Sequence, residues 1–218
     1  DLTEIQPTVF PAVPRILEKM HSGAMVRMKD ASLLKKSLFK FSMILGNYAV
    51  DRKLYKNFDD ILAKVLLSVG YLLSFRSMRK KLGLLNAQSA VSGAAPIAPE
   101  VLKFFMALGV PLFEAYGMTE NCAYATTNSA EKIKLGTVGV PNVGVELKLA
   151  EDGEILIRSG GVFKGYYKDE EATNRTIDKE GWLYTGDVGV YDDEFIKIVD
   201  RKKDIIITSG GKNVSPSE

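Results

Sequence analysis

The apolar positions of the first 85 residues repeat mainly at helical spacing. Prolines near the start predict an extended segment, followed by a short helix from Arg15 to Met20. Between residues 31 and 81, apolar side chains recur on one face at intervals of three or four, as at Leu34, Leu38, Phe41 and Leu45. We therefore predict that residues 31–85 form a helical insertion.

A different pattern begins near Asn86 and predicts a βαβ unit. Residues 88–92 read as a short buried strand, a loop of small residues follows, and Pro99 is placed to begin a helix. A second strand is predicted from Val110 to Ala115. Two strands joined through a helix in this way should be parallel. The glycine-bearing loops after them then lie at carboxyl ends of strands, where open α/β sheets bind ligands.

Alternation of apolar and polar residues takes over after Gly136. Val145, Leu147 and Leu149 alternate with polar residues up to a turn at Asp152-Gly153, and the alternation then resumes. A second hairpin is predicted from 188 to 199, reversing at 192–193. The predicted fold class is α/β, with a parallel-sheet α/β subdomain at 1–135 followed by a small antiparallel β-barrel subdomain at 136–199.

The composition excludes several kinds of functional site but says less about the fold. The single Cys122 and the single His21 exclude a disulfide framework, a cysteine-rich zinc site and a histidine-based triad within this chain. Residues 1–90 hold 15 Lys and Arg against 7 Asp and Glu, whereas residues 91–218 hold 14 against 20. The first part could lean on an anionic surface or present a solvated basic face, and the second is where metal-binding carboxylates are expected.

The helical insertion raises the question of membrane contact. The apolar stretch from Ile61 to Phe75 is expected to be too short and too polar to span a bilayer. The chain opens without a signal-peptide pattern, so a cytoplasmic protein is expected. Two readings stay open for the insertion, packing on the α/β core and peripheral contact with an anionic membrane. The cations that would serve the second reading are Lys35, Lys36, Lys40, Arg76, Arg79, Lys80 and Lys81.

Three clusters of residues carry candidate chemistry. The small residues from Ser92 to Pro96 leave backbone groups open to a flat ligand. The segment from Tyr116 to Glu120 offers an aromatic face, a hydroxyl and a carboxylate, and Mg²⁺ beside phosphate takes such hard oxygens. The segment Thr185-Gly186-Asp187 places a carboxylate after a glycine, suited to accept ribose hydroxyls. Any one cluster alone is better explained by a simple turn of the chain. The prediction of a ligand site therefore depends on the three clusters occurring together in this order.

The order and spacing of these motifs resemble one superfamily over nearly the whole chain. The matching segments are Tyr116-Gly-Met-Thr-Glu120, Thr185-Gly-Asp187 and Asp200-Arg-Lys-Lys-Asp204. The superfamily comprises acyl-CoA synthetases, luciferases and the adenylation domains of peptide synthetases. The run from Pro7 to Arg15 and the long insertion before Ser92 look like its long-chain fatty acyl-CoA synthetases. The resemblance implies an internal fragment, lacking the phosphate loop with its lysine and the C-terminal domain with the adenylation lysine, and expected to be inactive alone.

The resemblance also implies a role for each matching residue. Tyr116 would pack on adenine and the backbone of Ala94 and Ala95 would border it, although the superfamily more often has glycine at the Ala94 position. Gly93 and Gly117 are also expected among the nucleotide-binding residues. Thr119 and Glu120 are the expected catalytic residues, with Thr119 on the α-phosphate and Glu120 holding Mg²⁺. Asp187 and Arg201 would bind the ribose. Residues 200–218 would contain the hinge at Lys203, about which a C-terminal domain swings, and the Gly210-Gly211 loop of the pantetheine tunnel.

The implied reaction has two halves. A long-chain fatty carboxylate attacks the α-phosphate of ATP to give acyl-AMP and pyrophosphate, and the thiol of coenzyme A then displaces AMP. ATP, Mg²⁺ and coenzyme A are therefore expected, with a fatty acid as the acyl substrate and no nucleic-acid partner. The alternatives are a medium-chain or aryl-CoA ligase and a non-catalytic nucleotide-binding module on the same scaffold. The retained Thr119, Glu120, Asp187 and Arg201 argue against the module, because a binding relic need not keep a metal carboxylate.

Overall fold

The computed structural model describes residues 1–56, 61–204, 206–207 and 213–214, and the chain divides into two compact units. The first unit contains Asp1–Glu114 and Ser129–Gly136, and the second contains Ala115–Asn128 and Thr137–Glu218. Residues 115–128, which the sequence pattern places in the α/β subdomain, thus fall in the second unit. The physical reason is strand pairing, because Thr126–Thr127 pairs with residues 115–116 on one side and with Val140–Pro141 on the other.

The first unit is built from helices around a short parallel sheet. In chain order its elements are α1 (Leu2–Ile5), β1 (Val9–Ala12), α2 (Pro14–Lys29), α3 (Leu33–Lys56), α4 (Ile61–Gly70), α5 (Arg76–Leu82), β2 (Ser89–Ser92), α6 (Pro99–Ala107) and β3 (Leu112–Tyr116), whose last two residues belong to the second unit. Strand β2 pairs in parallel with β1 and with β3, which confirms the predicted βαβ arrangement. Helix α6 is largely buried because it packs against both α2 and α3.

Helix α2 is longer than the sequence pattern predicts. It begins with Pro14 in its first turn, which suits the fixed φ of proline, and it continues to Lys29. The predicted end at Met20 is wrong because Leu17 and Ala24 are both buried in the core of the unit, so the apolar stripe continues through Gly23. His21 therefore lies within the helix, where its ring packs 4.5 Å from the ring of Phe104.

Residues 57–60 of the predicted helical insertion lie outside the described residues, and the described part forms α3, α4 and α5. A π-helical turn, Tyr71–Phe75, joins α4 to α5, so one helical run extends over Ile61–Leu82. This run of 22 residues is long and apolar enough to cross a membrane by length and composition, with 22% of its apolar window buried. The expectation that the stretch is too short was wrong, because the helix does not stop at Phe75. One such helix is weak evidence of a span, since core helices of soluble proteins pass the same test.

Arg79 has a structural role inside the first unit. Its guanidinium donates hydrogen bonds to four backbone carbonyls just beyond the helix end and near α6, those of Leu84, Leu85, Ala87 and Gly109, at 3.0 to 3.1 Å. These carbonyls follow or lie outside a helix and need partners, which a guanidinium with five donors supplies. Counting Arg79 among the cations open to a membrane surface was therefore wrong.

The second unit is mainly antiparallel. Its elements are β4 (Thr126–Thr127), β5 (Val140–Pro141), β6 (Val145–Leu149), β7 (Glu154–Ser159), α7 (Glu170–Thr176), β8 (Leu183–Asp192), β9 (Phe195–Arg201), β10 (Ile206–Ile207) and β11 (Asn213–Val214). Strands β6 to β9 form one antiparallel sheet in sequence order, as the two predicted hairpins require. The second hairpin reverses one residue later than predicted, because Asp192 pairs with Phe195. The apolar residues Ile155, Ile157, Leu183 and Ile196 form its core together with Tyr116.

Candidate active site

Tyr116 and Asp187 are joined side chain to side chain in the second unit. The Tyr116 hydroxyl donates a hydrogen bond to Oδ2 of Asp187 at 2.7 Å. The Tyr116 ring is buried in the apolar core of the unit, beside residues such as Ala125 and Ile155. Burial raises the pKa of the Tyr116 hydroxyl, and the hydrogen bond to Asp187 raises it further, so the hydroxyl remains a donor at physiological pH.

Arg201 approaches the other oxygen of the same carboxylate. Asp187 and Arg201 are register partners in β8 and β9, and Nε of Arg201 lies 3.4 Å from Oδ1 of Asp187. The Asp187 side chain is 14% exposed and that of Arg201 is 63% exposed. A carboxylate fixed in this way can accept ligand hydroxyls, and the guanidinium beside it can donate to ligand oxygens. The structure thus brings together Tyr116, Asp187 and Arg201, which stand in three separate sequence motifs.

Glu154 fixes the backbone around Asp187, a role that was not predicted from the sequence. Its side chain accepts the Gly186 N–H on Oε1 at 2.9 Å and the Lys202 ammonium on Oε2 at 2.7 Å. Lys202 also pairs with Asp152 at 2.6 Å, and its hydrogen bonds to the two carboxylates raise its pKa. The sequence feature that could have indicated this role is a carboxylate at the start of an otherwise apolar strand. A charge buried in such a strand needs a partner.

Thr119 and Glu120 lie on a tight turn directly after Tyr116. The Met118 N–H donates to Oδ1 of Asn121 at 2.9 Å, and the Ala123 N–H donates to the Met118 carbonyl at 2.8 Å. A Cβ atom at Gly117 would lie only 2.3 Å from the Ala123 carbonyl carbon, so this turn requires glycine there. The turn alone explains Gly117, and its place in the nucleotide site stays a prediction.

Tyr166 contacts the carboxylate of Glu120, and this contact was not predicted from the sequence. Its hydroxyl donates to Oε1 of Glu120 at 2.8 Å, and the hydrogen bond raises the pKa of Tyr166. The two residues lie 46 positions apart. The only signal was a Gly165-Tyr166 pair shortly before an acidic helix start, and nothing in that spacing relates it to Glu120.

Thr119 and Glu120 fit a Mg²⁺ ion that arrives with phosphate. Within the described part of the chain, no group of three or more His, Cys, Asp or Glu side chains could hold a metal ion. Mg²⁺ usually keeps several waters and binds through one or two carboxylates together with substrate phosphates. Glu120 is half-buried and Thr119 is exposed, so both can be reached by a ligand. One oriented carboxylate beside a hydroxyl is the donor set that such an ion needs from the protein.

The small-residue loop after β2 belongs to the first unit. Ala94 in this loop has a φ of 71°, in the left-handed region that favours glycine. Glu114, the register partner of Ser92, accepts the backbone N–H groups of Gly136 and Ile97, the latter just beyond the loop. Burial raises the pKa of Glu114 to about 7. The buried carboxyl group of Glu114 therefore holds the backbone at Ile97, just beyond Gly93, Ala94 and Ala95.

The predicted hinge residue lies on an exposed turn. Lys203 sits in a turn closed by the Asp204 N–H, which donates to the Arg201 carbonyl at 2.9 Å. Just before it, the Lys202 N–H donates to the Gly186 carbonyl at 2.8 Å. The hinge role of Lys203 stays a prediction. Gly210 and Gly211 lie outside the described residues.

Comparison with known proteins identifies the family. The sequence model of the family described as AMP-binding enzyme matches residues 1–167, well over half of the chain. The chain belongs to this AMP-binding enzyme family. Its relatives include fadD11 of Mycobacterium tuberculosis, 38% identical over 99% of this chain, and the long-chain-fatty-acid–CoA ligase FadD15 of the same organism, 36% identical over 99%. The chain spans 38% of the length of fadD11 and 35% of the length of FadD15.

Solved structures of adenylate-forming enzymes share the fold of this AMP-binding chain. The O-succinylbenzoate coenzyme A synthetase MenE from Bacillus subtilis, in complex with AMP, has a TM-score of 0.56 and 33% identity. That match covers 61% of this chain and 30% of the MenE chain. The same synthetase in complex with ATP and magnesium ion has a TM-score of 0.55 and 35% identity. These relationships confirm the α/β fold class and the adenylate-forming acyl-CoA ligase family expected from the motifs.

Proposed function

We propose that this chain is the nucleotide-binding part of a longer, AMP-forming long-chain-fatty-acid–CoA ligase. The observation that carries the proposal is the network of Tyr116, Asp187 and Arg201, in a chain that also keeps the Thr119-Glu120 turn of its family. A network of a buried donor, a carboxylate and an exposed cation suits the ribose of a nucleotide better than it suits an apolar core. The family match supports AMP or ATP as that nucleotide.

In the first half-reaction the chain's own residues position ATP. Asp187 accepts the ribose hydroxyls. The Tyr116 hydroxyl fixes the Asp187 carboxylate, and the hydrogen bond from the Gly186 N–H to Glu154 fixes the backbone beside it. Arg201 donates to the sugar, and the Thr119 hydroxyl donates to an α-phosphate oxygen. Mg²⁺, held by Glu120, would offset the repulsion between the phosphates and the attacking carboxylate. The attack forms an acyl–phosphate bond and breaks the bond to the β-phosphate, so pyrophosphate leaves.

In the second half-reaction the coenzyme A thiolate attacks the acyl carbon of acyl-AMP. The carbon–sulfur bond forms, the mixed-anhydride carbon–oxygen bond breaks, and AMP leaves with the electron pair. The exposed turn at Lys203 is the point about which we propose that a further domain rotates between the two steps. The residue just before this turn is held in place, because the Lys202 ammonium forms ion pairs with Glu154 and Asp152.

The proposal also specifies the acyl substrate, a long-chain fatty acid. Support for a long-chain fatty acid comes from relatives so named, FadD15 and the ACSBG2 of Xenopus laevis, each matched over 99% of this chain and so including the helical insertion. An aryl acid is the main alternative, since the MenE structures come from a synthetase of O-succinylbenzoate. A medium-chain acid is the other, because substrate length depends on pocket walls partly outside this segment.

We also propose that the helical insertion makes peripheral contact with an anionic membrane. The run Ile61–Leu82 exposes large apolar side chains in a helical repeat, namely Ile61, Leu62, Val65, Val69, Leu72 and Leu73, each between 38% and 81% exposed. The exposed cations Arg76, Lys80 and Lys81 follow on the same helical run. Apolar side chains flanked by cations favour the interface of an anionic bilayer. A fatty acid partitions into that bilayer, so contact there would shorten the path of the substrate.

A competition assay on the full-length protein tests the acyl specificity. Equal concentrations of palmitate, octanoate and O-succinylbenzoate are offered with ATP, Mg²⁺ and coenzyme A, and the thioesters are resolved by mass spectrometry. The proposal expects palmitoyl-CoA to dominate. Dominance of octanoyl-CoA or O-succinylbenzoyl-CoA would keep the ligase and replace its substrate, whereas a complete absence of thioester would favour the non-catalytic module.

A further inference from the structure

The segment of residues 160–168 holds Glu120 at two points. The Phe163 N–H donates to the backbone carbonyl of Glu120 at 2.7 Å. The Tyr166 hydroxyl donates to its side-chain oxygen Oε1 at 2.8 Å. One residue of the segment thus fixes the main chain of this glutamate, and another fixes its carboxylate. Two hydrogen bonds from one short segment to one residue leave the glutamate little freedom to change its position.

Tyr166 is itself fixed from several directions. Its ring packs edge-on against the ring of Phe163, with centroids 4.8 Å apart and planes at 73°. Its backbone N–H donates to Oγ1 of Thr173 at 2.9 Å, and the Thr173 hydroxyl donates to the Asp169 carbonyl at 2.8 Å. At Gly165, where φ is 143°, a Cβ atom would lie 2.6 Å from Cγ2 of Thr173, so this approach requires glycine. The start of helix α7 therefore sets the place of the tyrosine.

We propose that Tyr166 is a positioning residue that orients the Glu120 carboxylate toward the Mg²⁺ ion of Mg·ATP, an inference that rests on the proposed function. Of the two carboxylate oxygens, the hydroxyl donates to Oε1, which fixes the rotation of the carboxylate and leaves Oε2 free of that contact. The Tyr166 hydroxyl is also hydrogen-bonded to the side chain of Thr176, which helps to hold it in place. A glutamate without such a partner samples several rotamers and loses that freedom when the metal binds. Partners that hold metal-ligating side chains are typically worth about 10- to 100-fold in metal affinity.

The test compares two neighbouring tyrosines in the full-length protein. Tyr166→Phe removes the hydroxyl but keeps the ring that packs on Phe163. Tyr167→Phe is the matched control, because this next residue is 88% exposed and loses the same atom. Binding of Mn²⁺, used in place of Mg²⁺, is measured by electron paramagnetic resonance in the presence of ATP. We expect Mn²⁺ binding about tenfold weaker in Tyr166→Phe and unchanged in Tyr167→Phe, with metal-free ATP binding unchanged in both.

The Mg²⁺ dependence of acyl-AMP formation separates positioning from general damage. In Tyr166→Phe the Mg²⁺ concentration that gives half the maximal rate should rise, while the rate at saturating Mg²⁺ recovers to near that of the parent. A merely structural defect would lower the rate at every Mg²⁺ concentration. With Glu120→Gln already present, adding Tyr166→Phe should weaken Mn²⁺ binding no further, because both act through one contact.

The possible outcomes separate this inference from the proposed function. Equal Mn²⁺ affinity in Tyr166→Phe and Tyr167→Phe would overturn the role of Tyr166 and leave the ligase proposal standing. A rate that stays low at saturating Mg²⁺ would do the same. A parent protein that binds no Mn²⁺ in the presence of ATP would overturn the proposed function, and the inference about Tyr166 would fall with it.

Discussion

Asp187 and Arg201 lie directly opposite each other on β8 and β9, with Nε of Arg201 3.4 Å from Oδ1 of Asp187. The other carboxylate oxygen accepts the hydroxyl of Tyr116 at 2.7 Å. A single side chain therefore connects a buried aromatic residue to an exposed cation. Because both oxygens are already oriented, a ribose that binds here meets acceptors that need little rearrangement.

Asp187→Ala in the full-length protein should raise the KM for ATP by tenfold or more. The change removes charge-assisted hydrogen bonds worth roughly 1.5–3 kcal/mol. Steady-state kinetics at saturating fatty acid and coenzyme A measure it, with Glu151→Ala as a control that removes an exposed carboxylate from the same unit. An ATP KM that stays at the parent value in Asp187→Ala would remove Asp187 from the nucleotide site.

Ala94 and Ala95 should respond in opposite directions to the same substitution. Ala94 has a φ of 71°, a left-handed conformation that costs an L-residue roughly 1–2 kcal/mol. Ala94→Gly should therefore stabilise the protein by about 0.5–1 kcal/mol after the added freedom of the unfolded chain is subtracted. Ala95 has no positive φ, and Ala95→Gly should destabilise by about 0.5–1 kcal/mol. Urea denaturation measures both, and two shifts of the same sign would contradict the backbone geometry of this loop.

Glu114 should make the stability of the protein fall as pH rises toward neutrality. Its folded pKa of about 7 lies above the ordinary value of 4.5, because burial disfavours the carboxylate. The folded state thus holds this proton more tightly than the unfolded state does. The resulting stability, about 3 kcal/mol, is present below pH 4.5 and is lost as pH rises through about 7.

Glu114→Gln isolates this effect because glutamine carries no titrating proton. The free energy of unfolding of the parent, minus that of Glu114→Gln, should fall by about 3 kcal/mol between pH 4.5 and pH 7.5. Urea denaturation at several pH values measures the difference, and Glu100→Gln, an exposed glutamate of α6, is the control. A difference that does not change with pH would show that Glu114 titrates normally.

The membrane proposal can be tested with three of the cations on α5. Arg76, Lys80 and Lys81 are exposed, whereas Arg79 is left intact because it bonds four backbone carbonyls. Each cation near anionic lipid adds about 1 kcal/mol, so replacing the three by Gln should weaken binding about a hundredfold. Flotation with vesicles of phosphatidylcholine and phosphatidylglycerol measures this, and activity on a soluble short-chain acid should be unchanged.

The matched control removes the same charge from the second unit. Lys164, Lys168 and Lys179 are exposed there, and their replacement by Gln should leave flotation at the parent level. If both triple variants float equally, or if the parent does not float, the insertion has only a structural role.

Local pattern was sufficient for most of the fold. The strand β2, the helix after Pro99 and the hairpin at Asp152-Gly153 follow from apolar spacing and turn residues, which act between close neighbours in sequence. The length of α2 was missed because Gly23 looks like a helix end, while the burial of Ala24 that carries the helix onward depends on tertiary packing.

In the candidate site, too, local motifs could be recognised from the sequence, whereas contacts between distant residues could not. Tyr116, Glu120, Asp187 and Arg201 could be proposed from the sequence because each stands in a short motif, and their roles in nucleotide binding stay predictions. Tyr166 and Glu154 were missed because their roles depend on contacts with Glu120, 46 residues away, and with Gly186, 32 residues away. No periodicity in the sequence encodes such pairs. Arg79 was misjudged for the same reason, since one of its carbonyl partners, Gly109, lies 30 residues further on.

The central claim is that the full-length protein activates a fatty acid with ATP, and ATP–pyrophosphate exchange tests it most directly. Radioactive pyrophosphate should enter ATP only when a long-chain acid such as palmitate is present, and coenzyme A should not be required. The exchange should be strongly reduced in Glu120→Gln, because Glu120 would hold the Mg²⁺ that stabilises charge on the phosphates, and loss of one such electrostatic contribution typically costs about 100-fold or more. If the protein binds AMP but catalyses no exchange with any carboxylic acid, it is a nucleotide-binding module and not a ligase.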